Sequence, residues 1–189
     1  MPPTPTSQLV PSRDGAPIYT DAAGDPTKPC LVFVHDFTLS GAVFDNLFGN
    51  PKLIANFYLI RYAWPRTKCD ARIVGRLFSE IFAEDLKAMM HAFRIEKPIY
   101  VGCFGGTYCI IVYDIASHLP KDTLAGVVYF ATLPFIGPLM NRAVSPLVLD
   151  FLPDLFRTDD VNLNAKTTIE FVDPLFSDPK TVPFSLKTS

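Results

Sequence analysis

Four short apolar runs constrain this chain more than anything else in it: CLVFV at 30–34, FYLIRY at 57–62, IYVGC at 99–103 and AGVVYFA at 125–131. CLVFV, a short continuous apolar run, suits a strand covered on both faces, and the other three read as further strands. Between the second and third runs, Leu77, Ile81, Phe82, Leu86, Met89, Met90 and Phe93 recur at helical spacing within a predicted helix over 72–93. Residues 41–48 and 105–118 also read as helices. Strands that alternate with helices imply right-handed crossovers, so the expected class is α/β, a mostly parallel sheet flanked by helices. Ligands of such sheets sit beyond the carboxyl ends of the strands, which directs attention to the loops after Val34, Tyr62, Gly102 and Ala131.

Composition narrows the function. At 189 residues, with 49% hydrophobic and 19% charged, the chain can bury one sizeable core and is too apolar for disorder. A net charge of -2 supplies no basic stripe, so nucleic acid and anionic membrane surfaces are not expected partners. No apolar run reaches the roughly 18 residues of a membrane span. The opening MPPTPTSQLVPS lacks the pattern of a secretory signal and reads as a disordered lead-in over 1–12, which makes the cytoplasm the expected location. Cys30, Cys69, Cys103 and Cys109 show no metal-ligand spacing, and with three histidines neither a metal site nor a cofactor is expected.

The third run carries the chemistry. In IYVGCFGGTYC a strand enters a glycine-flanked turn and a helix follows at once. That is the geometry of a nucleophile elbow, whose apex residue projects from a strained backbone while the amides of the new helix favour negative charge beside it. Cys103 is the apex when the match starts from Gly105 and Gly106, with Gly102 before it and Phe104 after it. A second alignment takes Gly102 as the first glycine of an elbow that has lost a residue, and then no nucleophile exists. Cys103 also reads as a small apolar residue filling the strand end.

These residues resemble the α/β-hydrolase family, whose elbow is Gly-x-nucleophile-x-Gly; dienelactone hydrolases have a similar Gly-x-Cys-x-Gly-Gly turn. Val101 stands where the family has its first glycine, and there it is expected to crowd the helix. The family's His-Gly corner is matched by VFVHDF, which puts His35 and Asp36 at the corner. The resemblance implies that the backbone amides of Phe37 and Phe104 form an oxyanion hole, supported by His35, Gly102, Gly105 and Gly106. RYAWPRTK occupies the place of the Asp-x-Arg-Gly-x-Gly loop without its glycines. The likeness spans residues 13–135 as a partial α/β-hydrolase core, and the proline-rich, helical remainder, 136–189, resembles the start of a lid.

What the resemblance implies for activity is hydrolysis of a small ester or lactone, with a small apolar molecule as substrate or ligand. An acyl-transfer site needs a base and an acid to orient it. In the family these follow the lid, and the chain is expected to be truncated before them. His35, His91 and His118 are not placed to serve Cys103, and Asp150, Asp154, Asp159, Asp160 and Asp173 read as solvated carboxylates. The expected protein is therefore a very slow hydrolase at most; the alternative is a pseudoenzyme, a binding or interaction module on the same fold. A nucleotide-binding turn is disfavoured, because GCFGGT lacks both the dinucleotide fingerprint and a phosphate-loop lysine. The strand at 125–131 is expected at an open sheet edge that invites self-association.

Overall fold

The computed structural model describes residues 6–13, 15–35, 39–63, 77–103, 107–130, 142, 144–155, 157 and 159–183. Its strands are β1 (Thr6–Pro11), β2 (Pro17–Ala23), β3 (Cys30–Val34), β4 (Tyr58–Ala63), β5 (Ile99–Cys103) and β6 (Gly126–Phe130), in the spatial order β1-β2-β4-β3-β5-β6. β2 pairs antiparallel with β1 and β4, while β4, β3, β5 and β6 run parallel. The helices are α1 (Asp45–Phe48), α2 (Pro51–Asn56), α3 (Leu77–Phe93), α4 (Thr107–His118), α5 (Pro146–Leu155) and α6 (Val161–Phe171). The α/β class expected from the sequence is the class observed.

Alternation along the buried strands builds a separate core on each face. On one, Val32, Val34, Ile60, Tyr62 and Tyr100 meet Leu86 and Met89 of α3 and Ile115 of α4. On the other, Phe33, Leu59 and Val101 meet Phe44, in a 3₁₀ turn at Gly41–Phe44, with Leu47 of α1 and Leu53 of α2 against them. Local signals set the boundaries here. Ser40 caps the 3₁₀ turn by accepting from the Ala42 amide, and Asn50 caps α2 by accepting from the Lys52 and Leu53 amides, with Pro51 at the first helical position. Gly24 has a φ of 101°, and a Cβ there would lie 2.5 Å from the Phe57 carbonyl oxygen, so only glycine fits the turn after β2.

The expected disordered lead-in is corrected: Thr6–Pro11 is a strand, paired residue for residue with β2 from Thr6↔Ala22 to Pro11↔Pro17. Its polar residues and terminal proline disguise it, but Val10 is buried in the core, and the buried Ser12 hydroxyl donates to the buried Asp85 carboxylate of α3. The strand expected at 57–62 begins and ends one residue later, and of the helix expected over 105–118 the part from Thr107 is described and is helical. Of the helix expected over 72–93, the part from Leu77 is described and is helical.

One charged residue in the apolar run FYLIRY organises the β1-β2-β4 side. Arg61 donates to Asp21 at 3.0 Å, to the Gly41 carbonyl at 2.7 Å and to Asp45, and stacks over Phe48; Ser7 donates to the other Asp21 oxygen at 2.6 Å. Burial pushes the Asp21 carboxyl up, but hydrogen bonds from Ser7, Tyr19 and Arg61 and the Arg61 charge outweigh it and leave its pKa below the ordinary value. A depressed carboxylate contributes stability above its unfolded pKa and loses it as pH falls through the folded value. Asp21→Asn is therefore expected to destabilise the protein at pH 7 by about 2 kcal/mol. In urea titrations the gap from the parent should close as pH falls below about 3.9, the ordinary aspartate value. A gap that persists unchanged at acid pH would contradict this assignment.

Candidate functional site

The parallel register brings the ends of the strands together. Val34 of β3 lies across from Tyr62 of β4 and from Gly102 of β5, and Cys103 lies across from Phe130 of β6. His35, the residue after β3, therefore stands at the same sheet edge as Ala63, Cys103 and Phe130. This edge is where β3, β4, β5 and β6 end and where the sequence places its chemistry. Phe37, Phe104, Gly105 and Gly106, with Asp36 and most of RYAWPRTK, lie outside the described residues. The structure thus places Cys103 as the last residue of β5, with α4 beginning four positions later. Gly102 is buried in the strand and His35 is buried beyond β3.

Among the described residues, the packing partners of Val101 do not include the helix it was expected to crowd. Val101 is 5% exposed and packs with Phe33, Phe44 and Leu59, whereas α4 packs through Val112 and Ile115 into the core on the opposite face, which contains Tyr100. Strand alternation supplies the reason: successive residues of β5 face opposite ways, and α4 covers the Tyr100 side.

On the Val101 side an apolar cavity of about 630 Å³ runs along the sheet, within the usual range for small-molecule pockets. Phe33, Val101, Val128 and Phe130 form its floor, and Phe176 and Val182 form a wall. It reaches the carboxyl edge at Phe130, the register partner of Cys103. The stripe of Phe, Leu and Met around 135–156 supplies none of the described lining. Its described part packs within the last helices: Phe151 of α5 meets the Phe171 ring of α6 edge-on at 5.8 Å, and Leu155 is buried. The wall from 176–183 was missed because prolines break that segment's periodicity; its signal was the recurrence of apolar residues beside those prolines.

The other titratable candidates have ordinary roles. His91 and His118 are exposed in the last turns of α3 and α4. His118 lies the length of α4, about 17 Å, from the start of that helix, and Arg13, by its hydrogen bond and its charge, holds the Glu80 carboxyl below its usual range. Asp154 pairs with Arg157 at 2.9 Å, Asp160 caps α6 by accepting from the Leu163 amide, and Asp159 lies 3.9 Å from Arg157. Asp173 opens a 3₁₀ turn, and Asp150 is exposed. Burial pushes the Cys30 thiol up to about 12, so it is inert at neutral pH. Among the described residues no cluster of His, Cys, Asp or Glu could hold a metal ion.

The sheet order, with its antiparallel β2 and parallel β4-β3-β5-β6, is similar to that of several solved enzymes. Esterase RhEst1 from Rhodococcus sp. ECU1013 matches at 21% identity with a TM-score of 0.66, over 92% of this chain and 63% of that one. The chain has the α/β-hydrolase fold. The same fold in 1H-3-hydroxy-4-oxoquinoline 2,4-dioxygenase matches at 20% identity and a TM-score of 0.63, over 88% of this chain and 57% of that one. AqDC, which recognises and cleaves the ring of the Pseudomonas quinolone signal, matches at 15% and 0.63, over 96% and 68%. This α/β-hydrolase-fold chain thus spans between 57% and 68% of the length of these three structures. No family model and no curated protein matches its sequence. Among the described residues, no helix is long and apolar enough to cross a membrane.

The place of Val101 can be tested by substituting glycine. Val101→Gly removes a buried side chain and loosens the strand, so it is expected to lower the unfolding free energy by about 3 kcal/mol and to create no esterase activity. Unchanged stability in chemical denaturation would show that Val101 does not pack as described.

Proposed function

We propose that the chain is an α/β-hydrolase-fold protein in which Cys103 holds the nucleophile's seat and accepts an acyl group from a small apolar ester or lactone, with little or no turnover. The supporting observation is the adjacency of the end of β5, where α4 follows within four residues, to an apolar cavity that reaches Phe130. In this reading Cys103 loses its proton to solvent, favoured by the amino end of α4. Its sulfur bonds to the ester carbonyl carbon, the carbon-oxygen bond breaks, and the alcohol leaves as its alkoxide or phenolate. The Phe37 and Phe104 amides would stabilise the negative oxygen formed on the way. Residues 13–135 form the core that carries this site, and the helical segment after it acts as a lid.

The resulting thioester needs an activated water. General-base help is worth roughly 10²- to 10⁴-fold, and His91 and His118, in the last turns of their helices, do not stand at the carboxyl edge. His35, buried beyond β3 at the same end of the sheet, supports the turn in this reading and does not activate water, so acylation without release follows. A non-catalytic binding module is the second reading, favoured by the same apolar cavity and requiring no reactive thiol.

With p-nitrophenyl acetate the expected result is a burst of about one equivalent of p-nitrophenolate, then a steady state close to the blank. Peptide mass spectrometry should find the acetyl group on Cys103 and none on Cys30. Cys103→Ala, with its circular dichroism unchanged, should abolish the burst. A burst that survives this substitution, or no burst from the folded parent, overturns the acylation reading; in the latter case, binding of the uncharged ester would support the module.

A further inference from the structure

A second, smaller cavity of about 160 Å³ opens at the other end of the sheet, where β3, β4 and β5 begin. Cys30, Tyr58 and Ile99, the first residues of those strands, line it together with the turn before β3 and the loop between α3 and β5. Each of the three strands has a described neighbour on both sides, so the cavity does not depend on which strand closes the sheet. Ile99 and Cys103 are the two ends of β5, about 13 Å apart, which separates this cavity from the proposed nucleophile's seat.

Its lining joins a buried hydroxyl to exposed cations. Tyr58, the register partner of Cys30, is only 9% exposed, and its hydroxyl has no hydrogen-bond partner among the described residues. A phenol nine-tenths buried ordinarily has one, so this donor is left for an occupant of the cavity. Burial, with a smaller effect of Cys30, holds the phenol above its ordinary pKa, so it stays protonated and can donate. Around the rim stand Lys28, Arg94 and Lys97 with a single carboxylate, Glu96. Lys97 pairs with Asp122 at 3.1 Å, whereas neither Lys28 nor Arg94 is held in an ion pair among the described residues. Two of these cations also occupy backbone that favours glycine, with φ of 54° at Arg94 and 49° at Lys97. Arg94 follows α3 in a Schellman turn, closed by the Ile95 amide donating to the Met90 carbonyl at 2.8 Å, where glycine is the usual choice. A side chain kept there at a conformational cost needs a use.

We propose that this cavity binds a small phosphate-bearing anion, with Lys28, Arg94 and Lys97 around its oxygens and the Tyr58 hydroxyl donating to it from the floor. Three cations against one carboxylate suit a dianion better than a singly charged acid, and the planar fork of Arg94 matches adjacent phosphate oxygens. On a chain of net charge -2 this excess is local. The inference rests on the amino ends of the strands and not on the chemistry of Cys103, so the burst experiment leaves it untouched.

The test is an NMR titration of backbone amides in the full chain, with inorganic phosphate and, separately, phenyl phosphate replacing chloride at constant ionic strength. Saturable shifts at Lys28, Cys30 and residues 94–97 are expected, and the probe that saturates at the lower concentration identifies the ligand as free phosphate or a phosphate monoester. Arg94→Gly suits the left-handed backbone and should keep the fold while weakening binding by roughly tenfold or more. Tyr58→Phe, which keeps the ring, should weaken it as well. Shifts that fail to saturate with either probe overturn the proposal. So does a folded Arg94→Gly protein that binds as tightly as the parent, or a response spread evenly over all the surface cations.

Discussion

The rest of the structure depends on the parallel ladder that holds β3 between β4 and β5. Because β3 takes partners on both edges, with Val34 opposite Tyr62 on one side and Gly102 on the other, three strands end in line. That alignment puts His35 and Cys103 at one edge though 68 residues separate them in the chain. The ladder also separates the two cores, so that helix α4 and the apolar cavity lie on opposite faces of β5. Cys103 and Val101, which lines the cavity floor, then lie two positions apart on one strand.

The same arrangement limits the chemistry. The amino end of a helix can lower a thiol's pKa without a histidine, and cysteine is nucleophilic enough to use that alone. Releasing the product asks for more, since water attack on a thioester gains from a positioned base. In the proposed reading the end of β5 is the place for the first step. The exposed histidines belong to helix ends, not to that place.

How much was legible follows from how each element is buried. β5 and β3 are buried on both faces, and their apolar runs gave both boundaries to the residue. β1 and β2 went unread because polar groups serve inside the structure there: Asp21 and Thr20 are buried, and Asp21 is satisfied by Ser7 and Arg61, partners no periodicity can reveal. Arg61 itself was a visible clue, a charge within an apolar strand that requires a partner. At the site, a strand ending at Cys103 and a helix soon after it were legible, while the glycines between them lie outside the described residues. The packing side of Val101 was not legible, since it depends on which face α4 covers. The cavity wall at Phe176 and Val182 comes from a segment brought back over the sheet from beyond the last helix, a long-range contact without local signature.

The account stands on Cys103 occupying a bend at the amino end of α4. The most direct measurement is the pH dependence of alkylation at each cysteine, followed by isotope-coded iodoacetamide and peptide mass spectrometry on the folded protein. For a thiol in that position the rate at Cys103 should titrate with an apparent pKa below the roughly 8.5 of a free thiol, while Cys30, raised by burial, stays unlabelled through the same range. A Cys103 that titrates at or above the free value, or that reacts no faster than Cys30, would contradict the assignment.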